Sequence, residues 1–131
     1  MSEETNKLIN LNVLRAETTL DDAKFLVENQ KYHIAVNRIY YSAFYIISAF
    51  AIRDGFESSK HQQLIGWFNK NYVANEKVNK NNAKVIMRLF ELRNKADYDI
   101  YATFNKEQKE ELYNMSEKFL KEMKEYLIKN I

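Results

Sequence analysis

The sequence predicts an all-α fold, an antiparallel up-and-down bundle of four long helices and one short one. Three observations carry that reading. Proline is absent and glycine occurs only at Gly55 and Gly66, so few of the turns that hairpins prefer can be built. Apolar residues recur at helical spacing along most of the chain. A chain of 131 residues is long enough to bury a real core, and no repeat or linker divides it. Residues 1–131 therefore read as one helical domain.

The first helix is expected over about residues 6–29, where Ile9, Val13, Ala16, Leu20, Ala23 and Val27 form a single apolar stripe. Asn29-Gln30-Lys31 interrupts it, and a second helix runs from about 32 to 53. Gly55 ends that helix or opens the turn after it. Its run "IYYSAFYIISAFAI" (39–52) is too short to span a bilayer and is bracketed by Arg38 and Arg53. It predicts a helix buried nearly all round, apolar on more faces than one bundle core covers. Self-association through the second and fourth helices is the corresponding expectation, as a two-fold dimer.

Ser59 and Gln62 make a capping-box pattern that starts a short helix through Leu64, Trp67 and Phe68. Residues 73–82 lack an apolar period and read as a loop. Val85, Leu89, Leu92 and Ala96 then mark a fourth helix. "DYDIYATFN" (97–105) reads as a connection, and Leu112, Met115, Phe119, Met123 and Tyr126 mark the last helix. Six lysines and six glutamates between 105 and 131 give it an ordinary solvated face.

Composition excludes several chemistries. With no cysteine there is neither disulfide nor thiolate chemistry, which suits a reducing compartment. The start "MSEETNKLIN" is acidic and has no apolar signal core, so a cytoplasmic protein is expected, with no membrane attachment. His33 and His61 are the two histidines, and no Glu-x-x-His pair occurs, so neither a metal nor a cofactor is expected. A glycine-rich phosphate loop is absent too. The net charge of +2 is unevenly spread: residues 1–30 carry three basic and six acidic side chains, and residues 60–95 carry eight basic and two acidic ones. The basic segment suits phosphate, although a solvated helix face gives the same pattern.

What remains is a polar cluster in "ELRNKADYD" (91–99) and the aromatic second helix. "NRIYYSAFY" (37–45) and "RNKADY" (93–98), separated by a helix and a basic loop, resemble the HEPN domain family, over roughly residues 8–128. The resemblance implies a helical bundle, commonly dimeric, found beside small prokaryotic nucleotidyltransferases. It also implies a metal-independent ribonuclease motif: arginine, a polar residue, a few variable positions, then histidine, facing its counterpart across a dimer cleft. Arg93 and Asn94 match the first two positions, but Tyr98 stands where the histidine belongs. Histidine exchanges protons near its reference pKa of about 6.5, whereas tyrosine sits near 10, a poor general base for a ribose hydroxyl. Arg93 can still bind a phosphate bidentately.

Two function classes follow from the resemblance. One is a non-catalytic partner module of a toxin–antitoxin-like pair, a homodimer binding a nucleotidyltransferase, a nucleotide or RNA. The other is a ribonuclease toxin using Arg93 in a cleft between subunits. Arg93, Asn94 and Tyr98 are the motif residues, and Arg38, Tyr41, Arg93 and Asp97 the candidate ligand-binding set. Arg93 and Asp97 also suit an intrahelical ion pair, and Arg38 suits stacking on a tyrosine or anchoring Asp97. In related pairs the nucleotidyltransferase attaches AMP to a tyrosine two residues beyond the histidine. That position is Ile100 here, so Tyr98 and Tyr101 are the nearest candidates. His33 and His61 both read as solvated.

Overall fold

A computed structural model describes the backbone of residues 2–98 and 106–129 and the side chains of residues 2–92 and 110–129. Its helices are α1 (Glu3–Glu28), α2 (Tyr32–Asp54), the short α3 (His61–Phe68), α4 (Lys80–Tyr98) and α5 (Lys106–Lys129), with a π-helical turn, Asn69–Val73, prolonging α3. The architecture is the expected all-α, up-and-down bundle.

Helix α1 begins three residues earlier than its apolar stripe suggests, because Ser2 caps it: its side chain accepts a hydrogen bond from the Thr5 amide at 3.1 Å. The whole predicted stripe faces inward, with Ile9, Ala16, Leu20, Ala23 and Val27 buried and Val13 partly so. Ala16 and Ala23 are fully buried, and small residues there let α2 approach closely. The Ser42 hydroxyl donates to the Ala16 carbonyl at 2.7 Å, tying the two helices together in the core. Between them Gln30 takes a left-handed φ of 60°. At the far end of α2, Gly55 adopts φ 76° and closes the helix, as its position predicts.

The capping box expected from Ser59 and Gln62 does not form. Ser58 shapes the turn before α3 instead: its Oγ accepts from the Lys60 amide at 3.1 Å and donates to Gln63 Oε1 at 2.8 Å. Lys60 is the cap residue and contributes no side-chain bond. The predicted loop 73–82 is in fact a turn between the π-helical segment and α4, which starts at Lys80. Asn79 opens α4, accepting from the amides of Asn81 and Asn82 at 2.8 and 3.2 Å. Of the expected connection 97–105, Asp97 and Tyr98 belong to α4, and residues 99–105 lie outside the described residues.

The apolar run of α2 that motivates self-association is largely covered within the chain. Helix α2 is the bundle's central element, packed by α1, α3, α4 and α5. Ile39, Tyr40, Ala43, Ile46, Ile47, Ala49, Phe50 and Ala51 are all buried within one chain. Tyr41, Phe44, Tyr45 and Ile52 of the same helix are only partly buried, and Ile34 is exposed.

Candidate functional site

The aromatic half of α2 forms a continuous face with α3 and α4. Tyr40 is buried, and its hydroxyl shares a 2.8 Å hydrogen bond with Nδ1 of His61, the first residue of α3. The His61 ring stacks on Phe44 with centroids 4.0 Å apart, and Tyr41 meets it edge-on at 5.8 Å. Phe90 of α4 approaches Tyr40 at 6.1 Å. This overturns the solvated reading of His61. Twenty-one residues separate it from Tyr40, so no local pattern pairs them; the only sequence signal is its place in the first turn of a helix that must dock on α2. His33 is exposed, as read from the sequence.

Arg38 enters the same face from α2. Its guanidinium lies 5.1 Å from the Tyr41 ring centroid, a cation–π contact, and Nε and Nη2 donate to Asn37 Oδ1 at 3.2 and 2.7 Å. The stacking alternative for Arg38 is therefore realised. The contact orients a permanent cation without neutralising it, so its charge stays available to an anion. Arg93 and Asn94 follow Phe90 by three and four residues in α4, which places them on successive positions of the helix running past the aromatic face. Their side chains, and those of Asp97 and Tyr98, lie outside the described residues, as does the whole of Tyr101.

Around this face the basic segment is solvated. Lys60, Lys70, Lys77, Lys80, Lys84 and Arg88 are all exposed. Lys80, Lys84 and Arg88 step by four along α4, and Lys80 pairs with Glu76 at 3.5 Å. His61 and Phe44 also line a shallow cleft of about 680 Å³ with Ser48, Ile52 and Phe56. Among the described residues no group of three His, Asp or Glu side chains is placed to hold a metal ion. Nor, among them, is any helix long and apolar enough to cross a membrane.

A second polar cluster closes the other end of α2, joining residues that no local pattern pairs. Arg53 Nη2 donates to the Tyr72 hydroxyl at 2.7 Å, Tyr72 donates to Asp54, and Arg53 Nε meets Asp54 Oδ1 at 3.2 Å. Burial, then the bond to Asp54, pushes the Tyr72 hydroxyl from its ordinary value up to about 12, against the pull of Arg53. Burial works against the Arg53 charge, but its bonds to Tyr72 and Asp54 outweigh that and its pKa is raised. The cluster joins α2 to the π-helical turn and reads as structural. Since the folded-state value for Tyr72 lies above the unfolded one, its contribution to stability is full below about pH 10 and is lost as pH rises toward about 12. We expect the stability difference between wild type and Tyr72→Phe to shrink across that window, measured by urea denaturation at pH 8, 10 and 11.5. A difference that stays constant over the three pH values contradicts the assignment.

An all-helical bundle whose aromatic second helix faces an arginine-bearing fourth helix defines a class. The HEPN domain family matches residues 10–126, and the chain belongs to that family. Among its relatives, a Thermotoga maritima protein named "UPF0332 protein" is 40% identical over 117 residues, covering 89% of each chain. Two Methanocaldococcus jannaschii proteins, each named a putative toxin, are both 33% identical. One alignment spans 98% of this chain and 85% of the relative; the other spans 73% and 69%.

Proposed function

We propose that this chain is the HEPN component of a cytoplasmic toxin–antitoxin-like pair, a self-associating module that binds RNA or a nucleotide and docks a small nucleotidyltransferase. The observation that carries this reading is Arg38 held over Tyr41 on an aromatic face, beside the helix that bears Arg93. An oriented cation among exposed-edge aromatics suits a phosphate with a stacked base, and the Lys84–Arg88 row adds sequence-independent attraction. Two relatives named as toxins and the family membership support the pairing. Tyr98 in place of histidine argues for binding rather than cleavage. Tyr98 and Tyr101 are the proposed acceptors: the tyrosine oxygen, losing its proton, attacks the α-phosphate of ATP bound by the partner and pyrophosphate leaves, and the attached AMP adds negative charge that competes with RNA for Arg93.

The second reading, a metal-independent ribonuclease, is favoured by one observation. His61 brings an imidazole, the side chain suited to proton exchange near neutral pH, onto the face that α4 passes.

The test is co-purification with the product of a neighbouring nucleotidyltransferase gene, intact-mass measurement, and an RNA-cleavage assay of each component in a metal chelator. A stable complex, an adduct of one AMP on Tyr98 or Tyr101, and background cleavage are expected. Robust cleavage by the isolated chain that is lost in His61→Ala transfers the assignment to the second reading. Absence of any complex removes the partner role.

A further inference from the structure

The two arginines of α2 are held in the same way and left with different charges. Each guanidinium lies against an aromatic ring one turn away on its own helix: Arg38 is 5.1 Å from the Tyr41 centroid and Arg53 is 5.5 Å from that of Phe50. Each also turns Nε, at 3.2 Å, to a side-chain oxygen of its neighbour in sequence. For Arg53 that oxygen belongs to Asp54, so the contact is an ion pair. For Arg38 it belongs to Asn37, a neutral amide, which also accepts from Nη2 at 2.7 Å. Asp54 is the one carboxylate on α2, and among the described residues no carboxylate pairs with Arg38. A guanidinium has five N–H donors and no acceptor, so Asn37 must face it with its oxygen. With Nε and Nη2 bonded to that oxygen, the edge open to a ligand is the one between Nη1 and Nη2. Two parallel bonds from such an edge fit two oxygens of one phosphate.

We infer that Asn37 is the positioning residue of the anion site: it grips Arg38 by the Nε edge and adds no charge of its own, so an undiminished cation presents its Nη1–Nη2 edge to a backbone phosphodiester of RNA. This deepens the RNA-binding reading proposed above and rests on it. The same helix shows what a carboxylate at position 37 would do. It would complete at Arg38 the ion pair that Arg53 makes with Asp54, where the cation is neutralised and bonded to buried Tyr72. Charge-assisted bonds are the stronger ones, so holding the arginine still would favour aspartate over asparagine. A neutral acceptor gives up that strength and keeps the charge. Asn37 and Arg38 are both only partly buried, so a phosphate can reach the edge that the amide leaves open.

Fluorescence anisotropy with a labelled single-stranded oligouridylate, over a series of salt concentrations, tests the assignment. Arg38→Ala sets the reference: affinity should fall roughly tenfold, and the slope of log affinity against log salt by about 1. Asn37→Asp is expected to match both values with helicity unchanged, since it neutralises Arg38 without removing it. Asn37→Ala releases the clamp and leaves the charge, so it should lose less affinity and keep the wild-type slope. Asn6→Asp puts the same charge on an exposed position in the first turns of α1, at the far end of the α1–α2 pair, and should stay near wild type in both. Equal slopes for the two Asn37 variants overturn the role of Asn37 and leave the anion site standing. A loss in Asn6→Asp equal to that in Asn37→Asp does the same, because net charge then explains the effect. Wild-type affinity and slope in Arg38→Ala, or no binding by the wild type, overturn the site and the inference together.

Discussion

Truncation of Phe50 to alanine is expected to cost about 3–5 kcal/mol, a large part of the ~5–15 kcal/mol that holds a domain of this size together. Phe50 is fully buried at the point where three elements meet. Its ring is edge-on to Tyr72 at 4.9 Å and to Phe68 at 5.6 Å, and stacked on Tyr126 of α5 at 5.6 Å. The Arg53 guanidinium lies 5.5 Å from the same ring, so the cavity would also loosen the Arg53–Asp54–Tyr72 cluster. Close packing on every side leaves little room for collapse, which places the cost toward the upper end. Urea denaturation followed by circular dichroism checks it. A loss below about 1 kcal/mol would mean that the α2–α5 contact can be repacked, contrary to the density described here.

The second large effect concerns binding. Arg93→Ala is expected to weaken the affinity for single-stranded RNA by roughly tenfold or more, because a charge-assisted bond to phosphate contributes about 1.5–3 kcal/mol. Arg38→Ala should weaken it as well, since Asn37 and Tyr41 orient its guanidinium without neutralising it. Each lost phosphate contact should also reduce the slope of log affinity against log salt by about 1. Fluorescence anisotropy at several salt concentrations reads both quantities. Unchanged affinity and slope in Arg93→Ala would show that RNA does not use this end of α4.

Much of the bundle was legible because helix periodicity is a local property. The six-residue stripe from Ile9 to Val27 faces the core as read, and Gly55 takes the left-handed conformation that its place after a long apolar helix calls for. The capping error at α3 was also local: the helix starts one residue later than a Ser59 cap requires, so Lys60 is the cap residue and Ser58 only shapes the turn before it. The surroundings of α2 were legible only in part. Its surplus of apolar faces was real, but counting faces does not say how many neighbours a helix has, and α2 has four. Family membership was legible for a different reason, since "NRIYYSAFY" and "RNKADY" can be read in order along the chain without knowing what packs around them.

The sequence by itself thus determined the helices, the inner face of α1 and the family. Only the tertiary structure decided that His61 stacks on Phe44 and bonds Tyr40, that Arg53, Asp54 and Tyr72 form one cluster, and that α2 packs against four other helices. The physical reason is range. Helical propensity and periodicity act over a few residues along the chain, whereas burial and side-chain pairing depend on which segments the fold brings alongside one another.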